Sequence, residues 1–323
     1  MSDHDVELNN LLQVAQEVDT AFDDIPIIDM TNATSQDLGL RLALAQEIKD
    51  ACMRVGFFYV KNHGIPAALP EKAIQDALPF FALPEEEKMK YNLHATPNFK
   101  GYNALLSENT DPAGRGDLNE GYNLGWEVLE EHDGLSHDTE GPMGGKNVWP
   151  EGGEDMKAFR RSALIYYHAA VTRPAAIMRI LHYPPQSGPV DDRIIGIGAH
   201  TDYEVFTILW QQDDIPALQV LNSAGKWIHA LPIPGTLVVN LGDQLARWTN
   251  DVFKSTVHRA INRSGVRRYS IPLFFGTDYD VVIEALPSCI SPTHPAKYEP
   301  VTAGDYVKSR LDATYMASKP SLS

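Results

Sequence analysis

The spacing of apolar and polar positions changes character about halfway along the chain. Residues 36–55 are rich in Leu, Ala, Glu and Lys and predict a helix that Gly56 ends. Further helical stretches are expected over 70–81, 85–91 and 153–170. The last has Met156, Phe159, Ala163, Leu164 and Tyr167 facing inward, with Pro174 breaking it. Short strands are expected at 25–29 and from Phe57 to the break at Gly64 and Pro66. After Tyr183-Pro184-Pro185 the pattern becomes β throughout. Segments 194–199, 206–211, 218–221, 227–231, 236–241, 256–261, 269–275 and 281–285 are short, apolar and divided by turn residues such as Asn222-Ser223-Ala224-Gly225. Strands at that spacing indicate a sandwich or barrel, so the second half is expected to be all-β with the helices gathered before it. Residues 98–149, rich in glycines, acids and amides, read as a long irregular segment packed through Phe99, Tyr102, Tyr122 and Trp126.

This pattern divides the chain into an acidic N-terminal arm (1–24), an α/β cap (25–150) and a β core (151–323). The arm carries Leu8, Leu11, Leu12, Ala15 and Val18 at near-helical spacing. At 323 residues the chain can bury a sizeable core. A net charge of -16 argues against nucleic acid and anionic membrane surfaces as partners, because both need a basic footprint. Cys52 and Cys289 are too few for a disulfide framework and fit a reducing compartment. No apolar run approaches the roughly 18 residues of a membrane span, and no basic leader opens the chain. A cytoplasmic protein acting on a small molecule, as a monomer or weak dimer, is expected.

Chemistry concentrates between His200 and Ser270. In a strand, His200 and Asp202 share a face, and His258 lies in a second expected strand. Two imidazoles and a carboxylate without thiolate suit a facial Fe(II) site with open positions, and they also suit zinc. Arg268 and Ser270 again share a strand face, and a guanidinium beside a hydroxyl grips the far carboxylate of a small diacid. A hydrolytic zinc site has no need of such a grip, so the combination tilts the choice to iron with a diacid cosubstrate. His63, alone at a strand end before Gly64, reads as a hydrogen-bonded structural residue, and the acidic runs at 85–87 and 130–131 read as solvated faces.

The pattern His200-x-Asp202, His258, Arg268-x-Ser270 resembles the isopenicillin N synthase-like family of Fe(II)- and 2-oxoglutarate-dependent dioxygenases. The likeness extends to 56–66, Phe80-Phe81-Ala82-Leu83-Pro84, Leu218-Gln219-Val220, Trp227, Asn240-Leu241-Gly242-Asp243 and 255–262, and so covers nearly everything from Ile25 to Tyr315. It implies a mainly β fold with flanking helices, a double-stranded β-helix (jelly-roll) core under an N-terminal α/β cap. It also implies Fe(II) on His200, Asp202 and His258, and O2 as the oxidant. Arg268 and Ser270 would hold the 5-carboxylate of 2-oxoglutarate, with Tyr183 reaching the same molecule, and His258 and Arg268 would lie on facing sheets. The implied reaction is hydroxylation, desaturation or ring formation on a small organic molecule. The variant Leu181-His182-Tyr183-Pro184-Pro185-Gln186 resembles members that tailor secondary metabolites.

Two departures stand out. Leu181 replaces an asparagine that many relatives carry, and the passage from Tyr167 to Tyr183 is short for the family. His182 is expected to support the structure rather than to act as a fourth ligand. Substrate contacts are expected from Phe99, Tyr102, Asn103, Phe206, Trp210 and Phe275, with the acidic loop at 111–131 as a lid. Two alternatives stay open on the residues: an Fe(II) oxidase that dispenses with 2-oxoglutarate, and a non-catalytic binding protein of the same fold.

Overall fold

The computed structural model describes residues 21–96, 98–110, 116–127, 145–170, 175–185 and 196–316. Most of the expected N-terminal arm lies outside them, as do residues 111–115 and 128–131 of the expected lid. In chain order the strands are β1 (Ile27–Asp29), β2 (Phe57–Lys61), β3 (Gly101–Asn103), β4 (Glu120–Gly125), β5 (Ala175–Tyr183), β6 (Ile197–His200) and β7 (Phe206–Gln211). They continue with β8 (Leu218–Leu221), β9 (Trp227–His229), β10 (Leu237–Leu241), β11 (His258–Ala260), β12 (Arg268–Gly276), β13 (Val282–Ile283) and β14 (Val301–Thr302). The helices are α1 (Leu38–Arg54), α2 (Ala68–Phe81), α3 (Glu85–Lys88), α4 (Glu154–Ala170), α5 (Asp243–Trp248) and α6 (Ala303–Met316).

An eight-stranded sheet in the order β1-β2-β10-β7-β12-β5-β4-β3 faces a four-stranded sheet in the order β6-β11-β8-β9. Neither sheet closes into a barrel; together they form the jelly-roll arrangement. The larger sheet takes β1 to β4 from the N-terminal region. Three expectations need correction here. The segment 98–149 contains β3 and β4, which pair with one another and with β5. The strand β5 was hidden by the apparent helix break at Pro174. The C-terminal half is not all-β, because α5 and α6 lie within it. Amide- and glycine-rich β3 and β4 escape propensity because packing on both faces decides their state.

Each strand's period of two gives the large sheet two different faces. On β5, Met178, Ile180 and His182 point to the helices, and on β12 so do Tyr269, Ile271 and Leu273. There they pack with Ala73, Ala77, Phe80 and Phe81 of α2 and with Phe159, Ala163 and Tyr167 of α4. Phe80 anchors this layer, with edge contacts to Tyr102 and Tyr122 and a stacked contact to Phe159. A second layer sets Leu44, Ala51 and Cys52 of α1 against Phe58, Val60, Leu237 and Leu241. Asp37 starts α1 by accepting the Gly39 N–H at 2.8 Å. The opposite face of the large sheet meets the smaller sheet, and the space between them is the site.

Candidate active site

His200 ends β6 and His258 begins β11, and the two are direct cross-strand partners with ring centroids 4.4 Å apart. Asp202 lies beyond the end of β6, so strand alternation is not what brings it to His200. It is held from behind: Asn240 donates to its Oδ2 at 2.6 Å, Thr207 donates its hydroxyl to the same oxygen, and its carbonyl accepts from the Asp243 N–H at 2.8 Å. The chain can come this close because residue 242 is glycine. A Cβ there would sit 2.2 Å from the Glu204 carbonyl and 3.1 Å from that of Asp202.

With Oδ2 doubly bonded, Oδ1 faces the two imidazoles, 3.5 Å from each Nε2. His200 donates from Nδ1 to the Gly198 carbonyl at 2.8 Å and His258 from Nδ1 to that of Thr256 at 3.1 Å. A carbonyl only accepts, so each Nδ1 carries a proton, and in the neutral imidazole each Nε2 is the nitrogen that offers a lone pair. The three residues present one ligand atom each within 4.8 Å of one another, a group fit to hold a divalent ion. Burial alone would raise the Asp202 pKa, but His258 and His200 outweigh it and hold it well below the ordinary range. Burial likewise opposes charge on His258, and Asp202 reverses that and raises it.

Both sheets line a cavity of about 130 Å³ around this group. At one end lie Arg268, Ser270 and Tyr183. Arg268 is 1% exposed, donates from Nη2 to Gln211 at 3.2 Å and lies 4.9 Å from the Tyr183 ring centre, while its Nε and Nη1 have no hydrogen-bond partner among the described residues. Ser270 Oγ donates to the Tyr183 hydroxyl at 3.4 Å. A buried guanidinium with two donors unmet and no carboxylate beside it among the described residues fits the far end of a diacid.

The other end is walled by residues that include Phe99, Glu108, Asn123, Arg179, Tyr203 and Leu311. Arg179 donates to Glu108 at 2.8 Å, a pair not foreseen from the sequence, and Glu204 is pushed up to about 7 by burial and by nearby Asp202. Of the expected substrate contacts, Phe99 lines the cavity; Tyr102, Asn103, Phe206, Trp210 and Phe275 do not. Tyr102 donates to Glu120 at 2.6 Å on the helix side, and Asn103 accepts from Ser107 at 2.8 Å. Phe206 stacks on Phe275 with centroids 4.7 Å apart, and Trp210 packs among the helix-side clusters. The reason is parity. On β7 the cavity sees Thr207 and Leu209, and on β12 it sees Arg268, Ser270, Pro272 and Phe274, so Phe206, Trp210 and Phe275 share the wrong phase. The same rule, run back from Tyr183, would have found Arg179. His182 points to the helices and donates from Nδ1 to Glu120 at 2.8 Å, and His63 accepts from the Ile65 N–H at 3.2 Å.

Comparison with known proteins agrees with this geometry. Residues 25–152 match the family described as non-haem dioxygenase in morphine synthesis N-terminal, and residues 174–277 match the 2OG-Fe(II) oxygenase superfamily. A 2-oxoglutarate-Fe(II) type oxidoreductase of Emericella nidulans is 35% identical over 318 residues, covering 90% of each chain. A homoarginine-6-hydroxylase of Oryza sativa is 33% identical over 311 residues, covering 88% of this chain and 92% of the relative. Among solved structures, a full-length Neurospora crassa protein in complex with alpha-KG and thymine superposes with a TM-score of 0.76 at 30% identity, covering 90% of this chain and 97% of that one.

Proposed function

For a chain that belongs to the 2OG-Fe(II) oxygenase superfamily, we propose a division of labour along the cavity: iron on His200, Asp202 and His258, the far carboxylate of 2-oxoglutarate on Arg268 and Ser270 beside Tyr183, and substrate against Phe99, Asn123 and Arg179. The protein is an oxidoreductase that uses Fe(II) and 2-oxoglutarate on a small molecule. Bound together, iron, cosubstrate and O2 supply the oxidising power that breaks a substrate C–H bond, with 2-oxoglutarate leaving as succinate and CO2. The chain contributes position and exclusion of water. The Nδ1 hydrogen bonds of His200 and His258 keep each Nε2 a lone-pair donor, and Thr207 with Asn240 fixes which carboxylate oxygen of Asp202 is offered. Leu181, Leu209 and Leu218 make the surrounding walls apolar. Named relatives include homoarginine hydroxylases, which favours hydroxylation of a small polar metabolite among the three possible outcomes.

The observation that carries this reading is the buried Arg268, its Nε and Nη1 without a partner among the described residues, in the cavity that also holds the His200, Asp202 and His258 group. Anaerobic addition of Fe(II) and 2-oxoglutarate is expected to produce the visible charge-transfer band of the chelate, and Arg268→Ala to weaken 2-oxoglutarate binding about 100-fold. Absence of the band in the wild-type protein, or undiminished affinity in the variant, overturns it.

A further inference from the structure

We propose that Asp117 and Asn119 stand in for a missing neighbour strand on the free edge of β6, and that Asp117 is thereby a positioning residue for the metal ligand His200. The inference rests on the placement of the metal at His200, Asp202 and His258, and goes beyond it to what holds one of those ligands in place. His200 ends β6, an edge strand that pairs, among the described residues, with β11 alone. Such a strand turns a row of peptide N–H and C=O groups outward, and without partners they leave it free to shift. Here side chains meet them. Asn119 donates from Nδ2 to the Gly196 carbonyl at 2.8 Å, and Asp117 accepts the Gly198 N–H on Oδ1 at 2.9 Å. A residue of a parallel strand opposite Ile197 would make the same two bonds, donating to the Gly196 carbonyl and accepting from the Gly198 N–H.

The link to the metal ligand runs through a single residue. Gly198, whose N–H goes to Asp117, gives its carbonyl to His200 Nδ1 at 2.8 Å, so the carboxylate fixes the group that orients the imidazole. His258 needs no such brace, because β11 lies between β6 and β8 and is paired on both edges. Asp117 is itself firmly held. It is 3% exposed and takes two more bonds from Thr110, the N–H on Oδ2 at 3.1 Å and the hydroxyl on Oδ1 at 3.1 Å, while its own N–H donates to the Glu108 carbonyl at 2.8 Å. Thr110 and Glu108 line the cavity, so the same carboxylate ties the cavity wall to the edge strand. The donors from Gly198 and Thr110 are all neutral. What Asp117 supplies to them is hydrogen-bond acceptance, which the amide oxygen of an asparagine shares in part.

The test is a Co(II) titration of the protein without 2-oxoglutarate, reading the visible d–d absorption of the bound ion, with urea unfolding of the metal-free variants alongside. Asp117→Ala is expected to bind Co(II) about 10-fold more weakly, with the band shifted from that of the wild-type protein. Asp117→Asn keeps an acceptor for the Gly198 N–H and is expected to recover most of the affinity and the wild-type band. Asn119→Ala removes the other bond and is expected to weaken binding in the same direction by less. A purely structural role predicts a lowered unfolding midpoint with affinity and band unmoved. That result, or an Asp117→Asn protein no better than Asp117→Ala, overturns the proposal; where Asp117→Ala does not fold, wild-type affinity and band in Asn119→Ala overturn it. A wild-type protein that binds no Co(II) would instead sink the metal placement, and the positioning role with it.

Discussion

His182 and Tyr183 are neighbours on β5, yet they look into two different worlds. On the helix side, His182 donates to Glu120 Oε1, while Lys88 at 2.5 Å and Tyr102 at 2.6 Å bond Oε2, so the buried carboxylate is met on both oxygens. On the cavity side, Tyr183 stands beside Arg268, a buried charge with unmet donors and no carboxylate partner among the described residues. Burial alone would raise the Glu120 pKa, but His182, Lys88 and Tyr102 bring it below the ordinary value. At Arg268 burial leads and the pKa is lowered. A buried charge answered within the chain belongs to the fold, and one left unanswered is reserved for a ligand.

The contrast can be broken most directly by removing one member on each side. Glu120→Gln leaves Lys88 uncompensated and is expected to cost about 3–5 kcal/mol in chemical denaturation. Arg268→Leu is expected to leave stability unchanged or raised while 2-oxoglutarate affinity falls about 100-fold by calorimetry. Equal destabilisation by both would erase the distinction. Replacing both ionic partners, Lys88→Met with Glu120→Leu, should recover most of the lost stability, since apolar side chains of similar volume substitute for buried ion pairs.

On the cavity side, Thr207→Val should weaken metal binding about 10- to 100-fold in a Co(II) titration of the unloaded protein, with Thr207→Ser restoring it. Equal affinity in all three proteins would show that Asp202 needs no support. The smallest effect is in acid. The Glu120 pKa is lower in the folded chain than its ordinary 4.5, so its contribution is present above that pH and drains away as the pH falls through the folded value. The wild-type protein should lose stability over that window more steeply than Glu120→Gln, and parallel acid profiles would remove Glu120 from the account.

Much of this was legible in the chain and some was not. The segments 206–211 and 218–221 are the strands β7 and β8 without adjustment, because β-branched and apolar runs between turns leave few alternatives. The metal group and Arg268 were legible because their residue types and spacings are chemically restrictive. The pair Arg179 and Glu108 was not, since it joins residues 71 apart that only the packing of β5 brings together. Asn240 was visible as part of a motif, but its hold on Asp202 depends on a glycine turn that spacing does not reveal. The misplaced substrate residues had a different cause: large aromatics were favoured over strand phase, and phase was the better guide.

The alternation of β12 amounts to a reading frame. A slip of one residue in its pairing would drive the guanidinium of Arg268 against the aromatic layer of Phe80 and Phe81 and turn the Tyr269 ring toward the cavity. Chemistry and burial would fail in the same step, so a mispaired chain is discarded as unfolded and does not persist as a sluggish enzyme. Quality control of the catalyst is in that sense delegated to the stability of its sheet.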